Sequence, residues 1–147
     1  QSNVTENSNT VVTFNTVLND PASMFVDARD HLVLPLPGLW RVSASLQVEG
    51  DTFTNLYAAI YLNGTEATGG DDAELICDAA AALSRATVKL EATITCATPG
   101  TDAVSLRMTY LAAGVDVGDI AEAGVFYNLT KSTWLSAIYL GPSLGGP

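Results

Sequence analysis

The sequence predicts an all-β chain folded as a sandwich or barrel of short strands, and three observations carry that expectation. Apolar residues recur at every second position in several stretches, the period of a half-buried strand. Turn chemistry built from Gly, Pro, Asn and Asp separates those stretches at short intervals. The chain has 147 residues, 48% of them apolar and 15% charged. That is one domain with a sizeable core, and it excludes a disordered chain.

Residues 1–10 are Asn, Ser, Thr and Glu around a single Val and read as a polar lead-in from an upstream segment. Candidate strands follow at 11–18, 24–27 and 32–36, divided by Asn19-Asp20-Pro21 and closed by Pro35-Leu36-Pro37-Gly38. The cleanest alternation comes next, at 40–49. Trp40, Val42, Ala44, Leu46 and Val48 point one way, and Arg41, Ser43, Ser45, Gln47 and Glu49 the other. A helix would need apolar residues at i, i+3 and i+4, which this run lacks.

The stretch 56–62 ends on the turn pair Asn63-Gly64, and Gly69-Gly70 follows. Residues 73–85 are Ala-rich and read as a strand or a turn of helix. At 88–96, Val88, Leu90, Ala92, Ile94 and Cys96 oppose Lys89, Glu91, Thr93 and Thr95. After Pro99-Gly100, Val104, Leu106, Met108 and Tyr110 oppose Ser105, Arg107 and Thr109. A last candidate strand spans 134–140, and residues 142–147 form a Gly/Pro tail. No internal repeat or second domain interrupts 11–141.

Two of these strands are apolar on both faces. Leu56, Ala58, Ile60 and Leu62 oppose Tyr57, Ala59 and Tyr61, while Trp134, Ile138 and Leu140 oppose Leu135, Ala137 and Tyr139. Such a strand is either central in a larger core or meets a partner subunit. In a two-layer sandwich the outer face should be wet. A subunit interface is therefore favoured, with Tyr57, Tyr61, Trp134, Leu135 and Tyr139 as candidate anchors.

Sixteen acidic residues against six basic ones give a formal net charge of −10. Phosphate binding needs Lys and Arg, so a nucleic-acid partner is excluded, and anionic membrane surfaces are disfavoured on the same ground. No apolar stretch is long enough to span a membrane as a helix. Cys77 and Cys96 are the two cysteines. They read either as one disulfide, worth roughly 3 kcal/mol for a loop of this size, or as two small buried hydrophobes.

The motifs that carry chemistry are sparse. His31 is the single histidine, next to Asp30, and no Gly-x-Ser-x-Gly nucleophile turn accompanies the pair. A surface-turn histidine is the expected role. Asp71, Asp72, Glu74 and Asp78 gather the hard oxygens that Ca²⁺ takes. Their spacing fits no EF-hand loop, and a solvated charged loop is the favoured reading. No catalytic residue, metal site or cofactor is expected. Three sequons, at Asn3, Asn63 and Asn128, would mark glycans only in a secreted eukaryotic protein.

The order of the strands resembles the C1q/TNF-like domains. Phe14-Asn15-Thr16-Val17-Leu18-Asn19 resembles their opening strand, and Leu34-Pro35-Leu36-Pro37-Gly38-Leu39-Trp40-Arg41-Val42 their turn into an aromatic-bearing strand. Tyr61-Leu62-Asn63-Gly64 resembles the strand closing on an Asn-Gly turn, and Thr101-Asp102-Ala103-Val104-Ser105-Leu106 the penultimate strand. Ser132-Thr133-Trp134-Leu135-Ser136-Ala137-Ile138-Tyr139-Leu140 resembles the closing strand. The pattern departs from the family at Ala137, where Gly is frequent, and at Val42, where a second aromatic is common.

The resemblance covers about 11–141 and implies a two-sheet jelly-roll sandwich that assembles as a homotrimer. With the Ala-, Thr-, Asp- and Gly-rich texture, it implies a non-enzymatic phage virion protein, a fibre head or a capsid or tail decoration. The expected partners are its own copies, other virion proteins and host surface glycans or a receptor. Two alternatives stay open. One is a secreted ligand or adhesion module of the same fold. The other is a monomeric carbohydrate-binding sandwich using Tyr57, Tyr61, Phe126 and Tyr127 as a sugar platform.

Overall fold

Antiparallel pairing accounts for the strand structure in the computed structural model, which describes residues 10–14, 22–25, 30–67, 72–76, 83–112 and 133–143. Side chains are described for 10–14, 22–25, 30–46, 57–67, 87–108 and 133–143. The strands are β1 (Thr10–Val11), β2 (Leu32–Val33), β3 (Gly38–Leu62), β4 (Thr65–Glu66), β5 (Asp72–Ile76), β6 (Leu83–Cys96), β7 (Ala103–Ala112) and β8 (Trp134–Gly141). No helix occurs among the described residues.

β3 organises both layers. Its first half lies between β6 and β8, in a register that sets Ala44 opposite Leu90 on one side and Leu135 on the other. Its second half lies between β7 on one flank and β4 and β5 on the other, with Ile60 opposite Leu106 and Ala58 opposite Met108 and Ala73. β1 and β2 add to the far edge of β7. Between the halves the register shifts from Glu49 to Phe53, where Gly50-Asp51-Thr52 carry the chain from one sheet into the other. The two stretches expected as separate strands, 40–49 and 56–62, are therefore one strand of 25 residues.

The core lies between the layers. Trp40, Val42, Ala44 and Leu46 from β3 meet Leu90, Ala92, Ile94 and Cys96 from β6 and Leu135 from β8. Across from them stand Ala58 and Ile60, Val104, Leu106 and Met108, with Val12, Phe14, Leu32 and Leu34 closing one end. Period two puts each set on one face of its strand. The expected alternation in β6 is met in full from Thr87 to Cys96: Leu90, Ala92, Ile94 and Cys96 are buried, and Thr87, Lys89, Glu91, Thr93 and Thr95 are exposed.

Other elements differ from expectation in length. Of 11–18, Val11 is strand, in β1 with Thr10, and Val12 N–H donates to Leu106 O at 2.9 Å beyond it; residues 15–18 lie outside the described residues. Phe25 contributes a single bridge to Leu32, with its ring edge-on to Phe14 at 5.8 Å. The Ala-rich stretch 73–85 is strand in its described parts, as β5 and the start of β6. Residues 77–82 lie outside the described residues.

Candidate functional site

The outer faces of the two sheets carry the residues that sequence reasoning singled out. On the first sheet, register places Arg41, Ser43 and Ser45 beside Ile138, Ser136 and Trp134 of β8, with Thr93, Glu91 and Lys89 of β6 on the other flank. The β6 side is polar and self-paired: Ser43 Oγ donates to Glu91 Oε2 at 3.0 Å, and Arg41 Nε lies 4.0 Å from the same oxygen. The β8 side is apolar. Ile138 is 51% exposed and Leu140 52%, near Tyr139 at 37%, while Leu36 is 47% exposed. These are the large hydrophobics left to solvent among the described residues.

The five expected anchors separate into four places. Leu135 belongs to the core, 5% exposed opposite Ala44, and offers nothing to a neighbouring chain. This corrects its assignment: β8 is apolar on both faces, and the partner register selects the Leu135–Ala137 face as inner. Tyr139 sits at the rim, its ring 5.1 Å from that of Trp40 and its hydroxyl donating to Pro37 O at 3.1 Å. Trp134 is half-buried on the first outer face, beside Ser45. Ser45 is fully buried there, and its hydroxyl lacks a partner among the described residues.

Tyr57 and Tyr61 stand on the second outer face, which their own chain partly occupies. The Tyr57 hydroxyl donates to Glu66 Oε1 at 2.7 Å. The Arg107 guanidinium stacks on the Tyr61 ring, 4.9 Å from its centroid. That contact takes one ring face away from a sugar platform. Phe126 and Tyr127 lie outside the described residues.

Next to this pair is a shallow cleft of about 180 Å³, lined by Val11, Asp30, His31, Gly64, Ser105 and Arg107 among others. Asp30 Oδ1 accepts from His31 Nδ1–H at 2.6 Å, which leaves Nε2 facing outward from the pair. Arg107 forms no ion pair among the described residues, and its Nε is buried without a hydrogen-bond partner. Sequence reasoning read Arg107 and Ser105 only as the polar face of a strand. Nothing local marks them, because the cleft draws on four separated segments.

The cleft rests on a polar lock. Asn63 (φ 51°) and Gly64 (φ 79°) form a two-residue hairpin turn, where positive φ suits Asn and Gly. The Asn63 side chain accepts from Ala103 N–H and donates to Asp102 Oδ1, both at 2.9 Å. Asp102 is buried and also accepts from Ala97 N–H at 2.8 Å and Thr98 N–H at 2.9 Å. The Thr98 and Asn63 bonds hold its carboxyl below the ordinary Asp value, against the opposing effect of burial. The sequon at Asn63 thus falls on an amide already engaged twice.

Cys96 is a free, buried thiol whose Sγ lies 3.9 Å from Leu34 O. Burial, and then the Asp102 charge, push its pKa up. The disulfide alternative is not realised: the Cys96 side chain points into the core as a small hydrophobe. Cys77 lies outside the described residues, as do Asp71 and Asp78 of the acidic cluster and the sequons at Asn3 and Asn128. No group of three potential metal-ligating side chains occurs among the described residues. No protein-family model matches the chain, and no curated protein matches it in sequence.

Proposed function

We propose that the chain is a non-enzymatic structural head, a jelly-roll domain that assembles as a homotrimer on the surface of a phage virion. The exposed aliphatic strip of Ile138 and Leu140 on β8 carries the reading, with Leu36 a further large hydrophobic left to solvent. Large aliphatic side chains half open to water at a strand edge are what a subunit interface covers. Half-buried Trp134 lies further along the same face of β8. The six-to-sixteen ratio of basic to acidic residues suits a crowded array that repels released DNA.

The strand order supports the jelly-roll part. Apart from the β3–β4 hairpin and β5 beside it, sheet neighbours are distant in sequence, β8–β3–β6 in one sheet and β2–β7–β3 in the other. That is the crossing pattern of Greek-key sandwiches, in contrast to a meander of consecutive hairpins. A ring of three needs two different patches on each chain. The apolar strip supplies one, and the second is set by the neighbour that covers it.

Light scattering after size exclusion tests the assembly. The expected mass is that of three chains, falling to one chain in Ile138→Asp with unchanged thermal stability of the fold. A single-chain mass for the unaltered protein overturns the trimer.

A further inference from the structure

We propose that the cleft between the Asp30-His31 pair and Arg107 binds the carboxylate of an acidic sugar, of the uronic- or sialic-acid class. This gives the surface-contact role above a site and a ligand class, and rests on that role only for where such a sugar is met.

Arg107 supplies the anchor. In a chain with six basic residues and a net charge of −10, Arg107 has no carboxylate partner among the described residues, and unlike Lys89, which also has none, it lines a cleft. Its guanidinium is fixed on two sides. Cζ lies over the Tyr61 ring at 4.9 Å, and Nη2 lies 3.7 Å from the position a Cβ on Gly64 would take. Stacking holds the fork in one plane, so little side-chain freedom is lost when it grips a planar carboxylate through two N–H groups. The Nε–H is buried and has no hydrogen-bond partner among the described residues, which costs stability.

The rest of the cleft selects what else the ligand carries. Asp30 has one oxygen engaged by His31, and a carboxylate can accept several bonds more. It therefore asks for hydroxyl donors and repels a second negative charge, which disfavours phosphate. Ser105 and His31 also line the cleft and add a hydroxyl and an imidazole to its polar groups. Val11, Ala103 and Gly64 are small and leave room for a ring. A monoanion bearing several hydroxyls meets all of these demands together.

The test is a titration of ¹⁵N-labelled protein with glucuronate and with N-acetylneuraminate, followed by NMR. Glucose, acetate and inorganic phosphate serve as comparison ligands, and the mass of the same sample is measured by light scattering. Saturable shifts of the Arg107 Nε–Hε signal and of the Gly64 and Ser105 amides are expected for the acidic sugars. The dissociation constant should be on the order of 1 mM, as for a small ligand in a shallow site. Arg107→Gln should weaken binding at least about tenfold. Arg107→Lys, which keeps the charge and loses the fork, should weaken it less and covers the case in which the Gln variant fails to fold.

Equal binding of glucose or acetate, tighter binding of phosphate, or no shift at these signals each overturns the proposal. A single-chain mass accompanied by saturable sugar shifts removes the trimer and keeps the cleft. A three-chain mass without shifts does the reverse.

Discussion

The two halves of β3 present the same inner face and opposite outer ones. Inward, Trp40, Val42, Ala44 and Leu46 in the first half and Ala58 and Ile60 in the second alternate alike and share one core. Outward, the second half carries two tyrosines, and both are engaged from within the chain, by Glu66 and by Arg107. Among the described side chains the first half carries Arg41, Ser43 and Ser45 there, yet its β8 flank leaves Ile138 bare. Aromatic content alone would point to the tyrosine face as the sticky one. Partner geometry reverses this, because the tyrosines have their partners and the aliphatics do not.

The comparison extends to how each end of β3 is secured, and substitutions at three positions would break or sharpen it. The largest effect is expected at the end of the second half. Asp102→Ala removes the acceptor of three N–H donors and should cost about 3 kcal/mol in chemical denaturation. Its pH dependence has a definite sign. The folded carboxyl lies below the ordinary Asp value of 3.8, so its contribution is full above that pH and is lost as pH falls through the folded pKa. Denaturation midpoints between pH 7 and pH 2 should show a shallower acid limb in Asp102→Asn than in the unaltered chain. An identical acid limb would mean the lock carries no linked proton.

At the start of the first half the constraint is steric. Gly38 has φ 131°, and a Cβ there would collide with the carbonyl oxygen of Gly141. Gly38→Ala should therefore cost roughly 1–3 kcal/mol, read from the same denaturation curves. A neutral outcome would show that β8 can move away from β3 at this end. The smallest effect is expected at Tyr61. Tyr61→Leu removes the guanidinium stack and should cost about 0.5–1 kcal/mol, with no change in solution mass. A fall in mass would place the interface on the second sheet and invert the contrast between the faces.

How much of this was legible in the sequence differs from element to element. β6 was readable to the residue, since a strict apolar-polar alternation with charged outer positions admits one register. β3 was read as two strands because Glu49-Gly50-Asp51-Thr52 has the composition of a turn. The chain instead stays extended and changes partners, and a partner change leaves no local mark. Leu135 was misplaced for a related reason. A strand apolar on both faces does not say which one is inner, and only its pairing with Ala44 decides. The cleft was hidden because Asp30, Gly64 and Arg107 are distant in sequence and individually ordinary. Asn63-Gly64 was recognised as a turn, but its side-chain bonds to the 102–103 segment were not.

The passage of β3 through both sheets also governs how the chain can mature. During synthesis β3 emerges before its flanking partners β6, β7 and β8, and β8 is the last of them. Until β8 arrives, the edge that runs along residues 39–45 has unpaired N–H and C=O groups and one open flank of the core. Pairings this distant in sequence close slowly. The nascent domain thus spends its riskiest interval with a ready template for pairing with another chain, and newly made copies emerging side by side are the nearest candidates to meet it.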